Sequence, residues 1–102
     1  MALRIEVVSR IAEKWVGEAS QISVPSIEGE MGILPGRQPV LVILGNGDVR
    51  IDSLSDGAVT IPVLGGFCSL DHDTVTVAAD FAGDEVAEEL AHRQAKAAGV
   101  ED

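Results

Sequence analysis

From Leu3 to Asp80 apolar and polar residues alternate with a period of two, and Gly, Pro, Asn or Asp interrupts the pattern about every eight to twelve residues. A period of two puts successive side chains on opposite sides of an extended chain, so the apolar sides must be stacked against one another to leave water. Helical bundles are thereby excluded, and an antiparallel β-sandwich or barrel remains. The apolar residues are mostly Val, Ile, Leu and Ala, with Trp15, Phe67 and Phe81 the only aromatics, a palette suited to β-branched packing between sheets.

The alternation assigns an inward face strand by strand. "LRIEVVS" turns Leu3, Ile5 and Val7 to one side, and "QISVPS" does the same with Ile22 and Val24 until Pro25 ends the ladder. "VLVIL" from Val40 to Leu44 is apolar on both faces. It is followed by "GNGD", where Asn46-Gly47 suits the two positive-φ positions of a type I′ hairpin turn, so that "DVRIDS" is expected to return alongside it. In that strand Val49 and Ile51 point inward while Asp48, Arg50 and Asp52 point to water. Val59, Ile61 and Val63 continue the inward face until Gly65-Gly66, which is expected to break the strand. "DHD" at Asp71 to Asp73 then turns the chain into "TVTVAAD", with Val75 and Val77 inward.

At Ala82-Gly83 the composition shifts, dividing a sandwich over 1–82 from a tail over 83–102. Asp84 is the expected N-cap of a helix through "EVAEELAHRQAKAAG", with Arg93 and Lys96 near its end and Gly99 as its stop. Val86 and Leu90 are its only large apolar residues, so its contact face is narrow, and an isolated helix of this length is marginal.

Seventeen acids against seven Lys and Arg give a formal charge of −10, which repels nucleic acid and anionic lipid surfaces. No run reaches the roughly 20 apolar residues of a membrane-spanning helix, and Met1 to Arg10 lacks the apolar stretch of a signal peptide, so a soluble intracellular protein is expected. Cys68 is the single cysteine and reads as a small buried hydrophobe in a reducing compartment. Asp71, His72 and Asp73 carry metal-ligating groups, but three consecutive turn residues do not readily converge on one ion, and no metal or cofactor site is expected. Neither a Gly-x-Ser-x-Gly elbow nor a phosphate-binding glycine loop occurs. A hydrolase using Glu28, Glu30 or Cys68 is the remaining catalytic alternative.

The loop "EGEMGILPGRQP", Glu28 to Pro39, combines acids, glycines that let backbone approach closely, and the apolar Met31, Ile33 and Leu34. That composition describes a docking surface with an apolar centre and a charged rim.

The blocks "VVS" at Val7, "W.GEA" from Trp15, "P..EGE.GILPG..P" from Pro25, "VRI" at Val49, "GGF" at Gly65 and "VTVAAD" ending at Asp80 stand in this order and spacing. Together they closely resemble the epsilon subunit of F-type ATP synthases over Leu3 to Asp80.

The resemblance implies an antiparallel β-sandwich of about ten strands followed by a C-terminal helical region, here one short helix, and a non-catalytic rotor subunit at the foot of the central stalk. It implies that one side binds the gamma subunit and the lower end rests on the membrane c-ring, so that proton flow is coupled to ATP synthesis. Carried onto this chain, the c-ring contact falls on Glu28, Glu30 and Met31, and the gamma contact on Arg37, Gln38, Pro39 and Val40. Arg37 stands where the family usually has a His. The family's tail is a helical hairpin that inhibits ATP hydrolysis and in some members binds ATP. The nineteen residues after Gly83 suffice for one helix, so weak or absent inhibition is expected, and "EELAHRQAKAAG" matches the nucleotide motif only in part. The implied location is peripheral, at the cytoplasmic face of the bacterial plasma membrane, with membrane contact only through the complex. An exposed gamma-binding face could also pair copies of the isolated chain. The alternative reading is a stand-alone acidic β-sandwich adaptor.

Overall fold

The computed structural model describes residues 2–97. Seven strands precede one helix: β1 (Leu3–Val8), β2 (Glu13–Ser26), β3 (Gly29–Ile33), β4 (Val40–Ile43), β5 (Asn46–Ser53), β6 (Gly57–Asp71), β7 (Thr74–Ala82) and α1 (Asp84–Ala97). The sheet runs β1-β7-β6-β5-β2-β3, β4 joins β6, and β1 also pairs with β2. The path therefore closes on itself, wrapping one sheet into two layers. All pairings are antiparallel except β1 with β7, which is parallel.

Seven strands suffice, where the resemblance implies about ten, because two of them are long enough to serve both layers. β2 spans 14 residues and pairs with β1 through its first half and β3 through its second. A register slip between Ala19 and Gln21, opposite β5, marks where it bends. β6 spans 15 residues and pairs first with β5, then with β4. The passage from one partner to the other falls at Gly65-Gly66, whose φ angles are 64° and 106°. The expected break is thus a bend inside a continuous strand that stays paired with β7 on both sides. A side chain cannot follow that bend: a Cβ on Gly66 would lie 2.7 Å from the Ala79 Cα.

The hairpin turn expected at Asn46-Gly47 is not there. Both residues lie within β5, paired with Leu64 and Val63, and neither has positive φ. β4 and β5 lie end to end along β6 in one register, from Val40↔Leu70 to Ser53↔Gly57, joined by backbone bonds from Leu44 N to Gly66 O and from Gly65 N to Gly45 O. A favourable turn dipeptide yields here to a straight strand because β6 offers an unbroken partner edge. The left-handed pair sits instead at His72-Asp73, φ 51° and 60°, between β6 and β7, within the "DHD" turn expected from the sequence.

The inward residues read from the alternation form the core: Leu3, Ile5, Val7, Ile22, Val24, Val49, Ile51, Val63, Val75 and Val77 are buried, and Val59 is half-buried against them. Cys68 belongs to the same cluster, and burial pushes its thiol up to about 12. α1 begins at Asp84 as expected. However, the Asp84 carboxylate faces Lys14 Nζ at 3.4 Å, while the Gly83 carbonyl accepts the Val86 N–H. The proposed stop, Gly99, lies outside the described residues.

Candidate protein interface

Strand pairing fixes what each layer shows to solvent, because partners across a ladder share a face. On the outer face of β3-β2-β5 the side chains satisfy one another. Glu30 accepts hydrogen bonds from Ser23 Oγ and from Arg50 Nη1, both at 2.7 Å, and Gln21 donates to Asp52. This face is polar and internally paired.

The outer face of β4-β6-β7-β1 is different. Ile43 lies opposite Phe67, Phe67 opposite Ala78, and Ala78 opposite Val8, giving an apolar row across four strands. Leu41 stands two residues from Ile43 on the same side, next to Ser69. Leu41 is 64% exposed, Ile43 52% and Phe67 46%. Other exposed large hydrophobics, such as Ile11, Leu34 and Leu54, lie on loops and turns, where they need no explanation. Covering the contiguous three would return about 1 kcal/mol each, since each is already about half-shielded. The arrangement has the apolar centre of a protein interface.

The residues assigned from the sequence are distributed around this face and its neighbouring end. Glu28 is exposed at the tip of the β2–β3 hairpin, where Ser26 Oγ accepts the Glu28 N–H and donates to the Gly29 carbonyl. Glu30 is not beside it in chemical terms: it sits within β3, engaged by Arg50 and Ser23. Met31 points the other way and is half-buried against the core. Arg37, Gln38 and Pro39 are exposed on the loop from β3 to β4, whose Gly36 N–H is held by the Asp73 carboxylate at 2.8 Å. Val40, half-buried, leads directly into Leu41. A groove of about 300 Å³ between the hairpin tip and β4 is lined by Ile27, Glu28, Met31, Leu41 and Ile43. The structure thus joins the Arg37–Val40 segment to the apolar face and separates Glu28 from Glu30.

Leu41, Ile43 and Phe67 were not among the assigned residues. The signal for Leu41 and Ile43 was present in "VLVIL", a strand apolar on both faces; Phe67 lies outside that run, in "GGFCSL". Among the described residues no three metal-ligating side chains converge, and His72 is exposed beside Asp71, its Nδ1 at 2.7 Å from the carboxylate.

The sequence profile of the family described as "ATP synthase, Delta/Epsilon chain, beta-sandwich domain" matches residues 2–84. The chain is 46% identical over 77 residues to the ATP synthase epsilon chain of Micrococcus luteus, covering 76% of this chain and 85% of that one. To the ATP synthase epsilon chain of Corynebacterium diphtheriae it is 38% identical over 98 residues, covering 91% and 80%. Its fold is similar to a chain in the OSCP/F1/c-ring structure of Euglena gracilis mitochondrial ATP synthase, with a TM-score of 0.74 at 18% identity, covering 94% of this chain and 64% of that one. A chain of the central stalk/c-ring structure from Tetrahymena thermophila mitochondrial ATP synthase aligns with a TM-score of 0.66 at 14% identity, covering 82% and 67%.

Proposed function

The chain belongs to the delta/epsilon β-sandwich family of ATP synthase subunits, and from that membership we propose that it is a rotor-stalk subunit that joins gamma to the c-ring and so couples proton transport to ATP synthesis. In this reading gamma covers the outer face of β4 and β6, with Leu41, Ile43 and Phe67 as its centre and Arg37, Gln38, Pro39 and Val40 as its rim. The hairpin end rests on the ring. Glu28, exposed and at the tip, meets basic ring loops directly, whereas Glu30 must first exchange Arg50 for a ring partner. Met31 contributes by bracing the hairpin from below. The subunit itself performs no catalysis; it transmits torque through two contacts on a stiff sandwich. No helix among the described residues is long and apolar enough to cross a membrane, and the proposed site is peripheral, on the cytoplasmic face of the bacterial plasma membrane.

The observation that carries this reading is the contiguous exposed apolar row on one outer face. Calorimetry of the purified protein with its cognate gamma subunit tests it. Tight one-to-one binding that Phe67→Asp weakens supports the assignment of the face. Absence of binding at micromolar concentrations would leave the stand-alone adaptor as the better reading.

A further inference from the structure

β4 is paired along one edge only, with β6. On the other edge of the line that β4 and β5 make, β2 pairs with β5 and then meets the chain just past β4 at a single bridge, Ser26 opposite Leu44. There β2 leaves, because Ile27 and Glu28 turn the chain into β3. The place that a longer β2 would take beside Leu41 is the groove of about 300 Å³ between the hairpin tip and β4.

The Leu44 N–H donates to the Gly66 carbonyl of β6, whereas the Ile43 carbonyl accepts the Ile27 N–H from the opposite side. Backbone groups alternate in direction along a strand, so those of Val40 and Val42 face β6 and those of Leu41 and Ile43 face away from it. The Leu41 N–H, the Leu41 carbonyl and the Ile43 N–H have no backbone partner among the described residues. An edge of this kind is ordinarily blunted by a charge, a proline or a bulge. β3, at the end of the sheet, carries Glu30. Val40 to Ile43 has none of the three, and its register with β6 is unbroken.

We propose that the groove beside β4 is a strand-addition site: an extended segment of the partner that covers the outer face of β4 and β6 lies antiparallel to β4, in line with the end of β2, and bonds to Leu41 and Ile43. The inference rests on the reading of that face as an interface and specifies how the partner holds it. Neighbours across a ladder share a face, so the guest residue opposite Leu41 lies on the apolar outer side, and the residues flanking it point into the groove toward Met31 and Val42. The guest is therefore apolar at all of these positions. Its N-terminal end falls beside Glu28, exposed at the lip of the groove, and carries a Lys or Arg there. The formal charge of −10 on each copy opposes a second copy of this chain as the guest.

Amide hydrogen exchange resolved by residue, on the whole chain alone and saturated with the cognate gamma subunit, tests it. The Leu41 and Ile43 amides should exchange freely in the chain alone and about 100-fold more slowly in the complex, whereas Val42, bonded to β6, is slow in both. Calorimetry with gamma separates backbone from side chain. Leu41→Pro removes an N–H that β6 does not use, at an edge position where proline is tolerated, and should weaken binding about tenfold more than Leu41→Ala, which keeps that N–H. Unchanged exchange at Leu41 and Ile43 in a complex that Phe67→Asp still weakens overturns strand addition and leaves the interface standing. Absence of gamma binding at micromolar concentrations overturns both. Protection of the same two amides in the chain alone, rising with its own concentration, makes a second copy the occupant and overturns the proposal as well. Should Leu41→Pro fail to fold, the exchange comparison on the wild-type chain decides alone.

Discussion

The two outer faces of the sandwich are built from the same kind of strand yet solve opposite problems. On β3-β2-β5, Glu30, Ser23, Arg50, Gln21 and Asp52 bond to one another, so the face is finished in water. On β4-β6-β7-β1 the corresponding positions are Leu41, Ile43, Phe67 and Ala78, which gain nothing from solvent. β6 runs through the bend that leads from the first surface toward the second, so the contrast arises within one strand. Phe67 and Cys68 show it at the scale of adjacent residues: one is 46% exposed, the other fully buried. An alternating strand needs only one apolar side to fold. The second apolar side on β4 and β6 is therefore more than an alternating strand requires in order to fold.

The bend is where the comparison breaks most severely. Gly66→Ala adds a Cβ against the backbone of β7 at a positive φ, and a loss of about 3 kcal/mol of stability is expected, measured as a lowered denaturant midpoint. Both faces should suffer together, because the layers lose their common strand.

A substitution confined to the apolar face should separate binding from folding. Phe67→Asp is expected to weaken gamma binding by about 100-fold, or about 2–3 kcal/mol, as for a central contact in a protein interface, with a midpoint of unfolding close to wild type. An equal loss of stability would mean that Phe67 is needed by the sandwich itself. In the isolated protein, the same variant should abolish any concentration-dependent self-association seen by sedimentation.

The inner side of the same strand makes a chemical prediction. With its thiol pushed up to about 12 by burial, Cys68 should react with a thiol reagent at pH 8 only as fast as the sandwich opens. Because its pKa is raised on folding, the native state is favoured fully below the unfolded thiol's pKa, and that contribution falls as pH rises toward the folded value. Rapid stoichiometric labelling of native protein at pH 8 would place Cys68 on the wet side instead.

The smallest effect belongs to the polar face. Arg50→Gln removes an exposed ion pair, so stability should move by less than about 0.5 kcal/mol. If Glu30 is held back from the ring by Arg50, the same change should modestly strengthen binding to c-ring vesicles at low salt, whereas Glu28→Gln should weaken it. No difference between the two variants would take the ring contact away from both carboxylates.

What the sequence by itself determined was the set of inward residues, the tail helix from Asp84 and the turn at Asp71 to Asp73. Each depends on short-range facts: side chains alternate along an extended chain, and Gly, Pro and Asp punctuate it. The spaced blocks around "EGEMGILPG" also carried the family, because many positions agreed at once. Only the tertiary structure decided that Asn46-Gly47 runs straight, since that dipeptide's turn preference competes with a partner edge on β6 that is distant in sequence. It likewise decided that Glu28 is exposed at the hairpin tip while Glu30 is held by Arg50, twenty residues away. The same is true of the apolar outer face of β4 and β6 and of the contacts of Glu85 with Ser9, Lys14 and Ala82. Period-two alternation says which side of a strand is apolar, but which side chains meet across strands, and whether anything covers the outer one, depends on pairings that closure of the sheet alone creates.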